Sequence, residues 1–278
     1  MTALRCPVCQ RDLQPELKRY VCAAGHSFDI ARQGYVNLLL SSQRPSQAPG
    51  DSADMIADRR AFLETGAYAP MRERVIGRLD ALQQSLDHAQ QILDVGCGEG
   101  YYTAAFADHP QRQVFALDIS KPALALAAKR SKRVVWCVGT SRALPFHDGS
   151  LDVVLNIFCR PHEAETQRVL RDDGVLLMVG PSANHLMELR EVLYDRLIVE
   201  DSHSLDNVLG KGFVLTHTET LEYSIALQQP AIMQLARMTP HYWRAPKEGR
   251  QRLENLDTLT VRAEFVIQEF KKLIKENV

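Results

Sequence analysis

The ten residues from Gln91 to Gly100 (Gln-Ile-Leu-Asp-Val-Gly-Cys-Gly-Glu-Gly) constrain this chain more than any other stretch. Ile92, Leu93 and Val95 form a short apolar run suited to a strand; Gly96, Gly98 and Gly100 interrupt it; a helix-compatible run from Tyr101 to Ala107 follows. Strand, tight turn and helix in that order bring the unpaired N–H groups of a helix N-terminus to the carboxyl end of a strand, where open α/β sheets bind ligands. Glycines are expected there because the backbone must take unusual dihedrals and come close to a ligand. A second apolar run, Val114 to Leu117, is closed by Asp118, 18 residues after Gly100. A carboxylate at the end of the second strand is placed to bind the hydroxyls of a ribose.

The spacing Asp94-x-Gly96-x-Gly98-x-Gly100 departs from the G-x-G-x-x-G of dinucleotide sites. It resembles motif I of class I S-adenosyl-L-methionine-dependent methyltransferases; a nicotinamide or flavin site, or a structural turn, is the alternative. The rest of the chain suits the same architecture. Asp51 or Ser52 can cap a helix to Leu63 that Gly66 stops, and Met71, Val75, Leu79, Leu82 and Leu86 fall on one face of a second helix. Ser120 caps a third helix, with Pro122 in its first turn. Val134–Val138, Leu151–Phe158 and Val175–Val179 read as buried parallel strands, with a turn at Asp173-Gly174. Leu221 to Leu227 and Leu259 to Phe265 alternate with period two and read as half-buried antiparallel strands flanking a helical insert. The expected fold is therefore α/β: a Rossmann-like, seven-stranded class I methyltransferase sheet.

A small zinc-binding domain is expected ahead of it. Cys6, Cys9, Cys22 and His26 follow the pattern C-x2-C-x12-C-x3-H. Two knuckles with two ligands each can close a tetrahedron around Zn²⁺, and a set of four protein ligands leaves no open position, so the site reads as structural. Residues 1–40 then form a zinc module, 41–52 a Ser/Pro/Gln-rich linker and 53–278 the catalytic domain. Residues 1–50 carry a formal charge of +3, or +2 with three thiolates and one zinc ion bound, a patch compatible with phosphate contact.

The whole chain, 278 residues at a net charge of −1, announces no nucleic-acid partner through its overall field. It contains no apolar run of membrane-spanning length and no secretory leader, so no membrane association and a cytoplasmic location are expected. Three of the six cysteines are claimed by the zinc pattern. Cys97 and Cys137 are expected to be packing residues.

Several motifs occur together: the zinc pattern, Gly-Tyr-Val-Asn-Leu (34–38), Pro-Gly-Asp-Ser (49–52), the glycine loop with Tyr101-Tyr102, His-Leu-Met-Glu-Leu (185–189) and Met-Thr-Pro (238–240). In this combination the chain resembles, over nearly its whole length, the guanine-N1 methyltransferases of bacterial 23S ribosomal RNA. The resemblance implies methylation of one guanosine in a hairpin loop, with the zinc module gripping the RNA. It implies that Asp94, Gly96, Cys97, Gly98, Glu99, Gly100, Tyr101 and Asp118 lie against the cofactor, joined by Tyr68 and His185. An acceptor for the N1 proton, or a partner for the base edge, is expected from the exit of the fourth strand (Asn156–Pro161) or from Asn184–His185, which makes Asn156 and His185 the catalytic candidates. A homodimer is compatible with the sequence but not specified by it. Methylation of a small molecule or protein, and RNA binding without catalysis, are the rival readings.

Overall fold

The computed structural model describes residues 3–43, 50–196 and 212–273. Half of the expected linker (44–49) and the end of the tail (274–278) lie outside them. The N-terminal segment forms β1 (Leu13–Pro15), β2 (Arg19–Cys22) and β3 (Ser27–Asp29), an antiparallel sheet in that order, followed by β4 (Tyr35–Asn37). Helices α1 (Ala53–Glu64) and α2 (Ala69–Gln83) come next. Ser52 caps α1 by accepting from the Met55 N–H at 3.2 Å, and Pro70 occupies the first turn of α2.

The α/β part runs β5 (Gln90–Val95), α3 (Tyr101–Phe106), β6 (Arg112–Asp118), α4 (Lys121–Arg130), β7 (Val134–Val138), β8 (Leu151–Ile157), α5 (Glu163–Val169), β9 (Leu170–Pro181) and α6 (Met187–Leu193). After the undescribed stretch come β10 (Phe213–Gln228), α7 (Ala231–Arg237), α8 (Pro240–Arg244), α9 (Lys247–Glu254) and β11 (Thr258–Lys272). The main sheet has the order β10-β11-β9-β8-β5-β6-β7-β4.

Four details differ from expectation. The sheet has eight strands, because β4 adds to its edge in parallel with β7 (Tyr35 opposite Trp136, Asn37 opposite Val138). Only β11 opposes the rest: it is antiparallel to both β9 and β10, so β10 runs with the parallel set. Asp173-Gly174 interrupts a strand instead of preceding one, since the register of β9 on β8 jumps from Leu170 (opposite Leu151) to Val175 (opposite Val153). Lys271 and Lys272, assigned to a frayed tail, close β11 against β9 and β10.

Each face of the sheet buries its own apolar set. Ile92, Val114, Ala116, Trp136, Leu155 and Leu177 face the side that carries Leu63, Val75 and Leu79 of α1 and α2, Leu124 and Ala127 of α4, and the α6–α9 residues. On the other side Leu93, Val95, Phe115, Cys137, Val154 and Leu176 pack with Phe146, Val169 and, from the N-terminal segment, Leu4, Cys6, Leu13, Cys22, Val36 and Leu38. The zinc module is thus part of the roof over the second face. It is anchored by backbone hydrogen bonds from Arg5 N–H to the Pro145 carbonyl (3.0 Å) and from His147 N–H to the Ala3 carbonyl (2.9 Å). The Leu144-Pro-Phe146 stretch is the docking rail for residues 3–5.

Leu4 is 2% exposed in this shared core. Leu4→Ala should therefore lower the stability of the whole sheet by about 2–5 kcal/mol. Thermal unfolding followed by near-ultraviolet dichroism should show a single transition displaced downward by several degrees. An unmoved main transition would mean that the module sits on the sheet without supporting it.

Candidate active site

The carboxyl ends of β5, β6 and β8 converge on the glycine loop. Gly96, Gly98 and Gly100 all have positive φ (78°, 56° and 82°). Their requirements differ. A Cβ on Gly96 would lie 2.8 Å from the Cys159 sulfur, and one on Gly100 would lie 2.7 Å from the Trp136 ring and 2.9 Å from Ala127 Cβ. At these two glycines the space a side chain would take is filled by neighbouring protein. At Gly98 the nearest atom is Arg59 Nη1 at 3.9 Å, so this is where the loop faces open space.

Asp118 fixes the loop. Its carboxylate accepts from the Gly98 N–H (2.8 Å) and the Ser120 N–H (2.7 Å), while Ser120 Oγ accepts from Ala123 N–H and starts α4. Burial raises the Asp118 pKa and the two N–H donors oppose that rise. Asp94 is buried at the end of β5 and accepts from Thr103 of α3; burial pushes its pKa up to about 7. It pins α3 to the strand. Cys97 and Cys137 are buried, and burial pushes the Cys137 thiol up to about 12 and the Cys97 thiol well above its usual value. Both are packed thiols, as expected.

Two residues expected at the cofactor have side-chain partners of their own. The Glu99 carboxylate is 2% exposed and pairs with Arg130 Nε at 2.6 Å, which also reaches Glu64 of α1. The Tyr101 ring lies under Arg72 (5.0 Å) and Arg130 (5.9 Å). They form an ion-pair and cation–π cluster that ties α1, α2 and α4 together beside the loop, and their side chains are engaged there.

Tyr68 and His185, 117 positions apart, meet as the motifs implied: Tyr68 Oη lies 3.2 Å from His185 Nε2. His185 Nδ1 accepts from the Glu264 backbone N–H at 3.1 Å. A backbone N–H only donates, so Nδ1 carries no proton. The neutral ring then holds its proton on Nε2 and donates it to Tyr68, which leaves the phenol's own proton free to donate. Burial pushes the His185 pKa down to about 4. In this tautomer neither ring nitrogen keeps a free lone pair, which favours a positioning role for His185 over the expected role as proton acceptor. The imidazole positions Tyr68, whose ring stands edge-on to Phe62 (5.2 Å) and Phe265 (5.0 Å).

Asn156 closes β8 at 1% exposure, and neither its amide oxygen nor its amide nitrogen has a hydrogen-bond partner. The amide comes near the Cys159 thiol, the group pressed against Gly96, without closing a hydrogen bond to it. A buried amide missing both partners is costly unless a ligand completes it.

The sequence reading missed Arg59. On α1 it pairs with Asp51, and that ion pair sits beside Gly98 and Asp118. The Gly50 backbone presses on Ser120 (2.9 Å for an added Cβ), so the Pro-Gly-Asp-Ser motif, described from Gly50 onward, folds over the end of β6. Its recurrence was visible, but not its target.

In the N-terminal module the ligand atoms of Cys6, Cys9, Cys22 and His26 all lie within 4.8 Å of one another. Cys9 and Cys22 sulfurs are 3.5 Å apart, and His26 Nδ1 is 3.4 Å from Cys22 and 3.6 Å from Cys6. Ligand bonds of about 2.0–2.3 Å give tetrahedral edges of about 3.3–3.8 Å, so the cluster fits zinc. Among the described residues no helix is long and apolar enough to cross a membrane.

The chain matches the family model described as "Methyltransferase domain" over residues 92–174 and that described as "RlmA, N-terminal" over residues 4–47. It is similar to the 23S rRNA (guanine(748)-N(1))-methyltransferase of Streptomyces fradiae, with 34% identity over 258 residues, 91% of this chain and 90% of that one. Proteins provisionally named 23S rRNA (guanine-N(1)-)-methyltransferase are also similar. That of Micromonospora griseorubida shares 37% identity over 86% of each chain, and that of Bacillus subtilis (strain 168) shares 32% over 95% of each.

His185 gives a pH test. The unfolded ring takes its proton near pH 6.5 and the folded ring only near 4. The folded state therefore keeps this contribution in full above pH 6.5 and loses it as pH falls toward 4, by up to about 3 kcal/mol. His185→Gln, which can still accept from Glu264 and donate to Tyr68, should flatten the urea stability curve over that window. Parallel curves for the two proteins would show that the ring is not held neutral.

Proposed function

The chain belongs to the family of 23S rRNA (guanine-N1)-methyltransferases, and on that premise we propose that it transfers a methyl group from S-adenosyl-L-methionine to N1 of one guanosine of 23S ribosomal RNA. When bound, the cofactor supplies a methyl group activated by its sulfonium. The observation that carries the residue-level reading is the convergence of a fixed glycine loop, its Asp118 clasp and an unpartnered Asn156 amide at the carboxyl ends of adjacent strands.

Asp118 uses two of its roughly four acceptor positions on backbone N–H groups, which leaves room for ribose hydroxyls. Asp51, Asp94 and Asp118 make this end acidic, which suits a cationic cofactor. The cofactor's carboxylate then needs a cation. Arg130 is engaged by Glu99 and Glu64, and Arg72 by Glu73. Arg59 donates only to Asp51 among the described residues and faces Gly98, so it is the group we assign to that carboxylate.

Guanine N1 carries a proton and lies on the pairing edge, so the base must be unpaired; a hairpin loop supplies it at small cost. The Asn156 amide nitrogen can donate to O6, where charge accumulates as N1 gives up its proton to water. In this reading residues 1–40 recognise RNA through exposed Arg11, Lys18, Arg19 and Arg32, and residues 53–278 carry the chemistry, joined through 41–52. Val214 and Leu215, exposed on the edge strand β10, support a homodimer.

Mass mapping of 23S ribosomal RNA from cells with and without this chain should show one N1-methylguanosine that depends on it; identical maps would reject the reading. Asn156→Ala should cut kcat about 100-fold and leave S-adenosylhomocysteine affinity unchanged, because the amide has no protein partner to orphan. Unaltered kcat would remove Asn156 from the mechanism. Arg59→Ala should weaken S-adenosylhomocysteine binding about 10–100-fold in calorimetry, yet leave affinity for decarboxylated S-adenosylmethionine unchanged. Equal losses for the two ligands would place Arg59 away from the carboxylate.

A further inference from the structure

All seven residues of β8, Leu151–Ile157, are buried. The next residue, Phe158, turns into the left-handed region at φ 56° and is 46% exposed. A bulky aromatic side chain resists that backbone conformation, and a ring meant for the core would have continued the strand. The turn is nevertheless enforced, because Phe158 N–H donates to the Val179 carbonyl at 2.8 Å and keeps the residue tied to β9. One edge of the ring rests on aromatic neighbours: its centroid is 6.5 Å from Tyr68, tilted 36°, and 5.9 Å from Phe265. Its chain neighbour Cys159 presses on Gly96, so the ring stands beside the cofactor loop and two residues beyond the unpartnered Asn156 amide.

An unpaired purine presenting N1 for in-line transfer has to be held in one plane, and stacking on a flat side chain does this without obstructing the pairing edge. We infer that Phe158 is the surface on which the target guanine stacks, and that its strained, half-exposed placement exists to offer that face. The inference rests on the reading of the chain as a guanine-N1 methyltransferase. Tyr68 and Phe265 brace the ring from behind, and Asn156 meets the edge of the base that Phe158 holds by its face.

The test uses the full, zinc-loaded chain and a 23S ribosomal RNA fragment spanning the methylated guanosine, paired with the same fragment made abasic at that nucleotide. The wild type should bind the guanine fragment more tightly than the abasic one. In Phe158→Ala that preference should collapse by about 10–100-fold, with S-adenosylhomocysteine affinity unchanged. Phe158→Tyr and Phe158→Trp should retain it. Phe158→Gly should melt at or above the wild-type temperature while losing the preference, since glycine relieves the left-handed backbone. A preference in Phe158→Ala equal to that of the wild type overturns the inference and leaves the methyltransferase reading intact. A wild type that neither methylates the fragment nor distinguishes it from the abasic one overturns both.

Discussion

The clasp of one carboxylate on two backbone N–H groups organises the catalytic half of the molecule. Asp118 ends β6, holds the glycine loop that follows β5 through Gly98, and holds the start of α4 through Ser120. Three chain segments are thereby fixed to each other by one partly buried carboxylate. The left-handed glycines could not keep their shape unaided, because a loop of three glycines has more backbone freedom to lose than any other stretch of equal length. The clasp and the packing of Cys159 and Trp136 onto Gly96 and Gly100 remove that freedom before any ligand arrives. Gly98 alone is left facing outward, at the place where Arg59 and Asp51 close the rim.

The same economy explains why the zinc module is not a separate bead. A sheet of largely parallel strands must be covered on both faces. Here the face lined by Leu93, Phe115 and Val154 is covered by the seven-residue α5, the Leu144–Phe146 rail and the side chains of the N-terminal segment. A segment of that size could not bury a core alone, and the sheet face could not remain bare, so each completes the other. The metal holds the knuckles, and Leu4, Leu13, Val36 and Leu38 bind them to the sheet. Ordering of the zinc module and ordering of the catalytic sheet are therefore linked through one apolar layer.

Local chemistry was legible in the sequence and long-range pairing was not. Strands with apolar runs, the Ser52 and Ser120 caps, the zinc spacing and the Asp118 position could be read because each depends on residues a few positions apart. β4 escaped because three residues, Tyr-Val-Asn, carry too little pattern to announce an edge strand. β11 was read as half-buried, but from Ala263 onward both of its faces are largely covered, Phe265 and Ile267 packing into one core layer and Phe270 into the other. Glu99 and Tyr101 sit within the glycine motif, yet their side chains answer to Arg130 and Arg72, partners that no spacing rule connects to them. His185 was placed near Tyr68 correctly, but the hydrogen bond that fixes its tautomer comes from the backbone of residue 264, which no motif announces.

The two ends of the site differ in charge, and that difference shapes the chemistry available to it. The cofactor end gathers Asp51, Asp94 and Asp118 around a single half-buried guanidinium. The end to which we assign the base is built from uncharged groups: the Asn156 amide, the Tyr68 phenol with its pKa raised by burial, the neutral His185 ring and the Phe158 face. Such a set can orient a base and stabilise charge on O6, but it offers no strong base of its own. The reaction therefore depends on holding two reactants in line and on drawing negative charge away from N1. That places the burden of specificity on the residues that grip the face and edge of the guanine, and it accounts for an amide left without partners at the end of an otherwise fully satisfied strand.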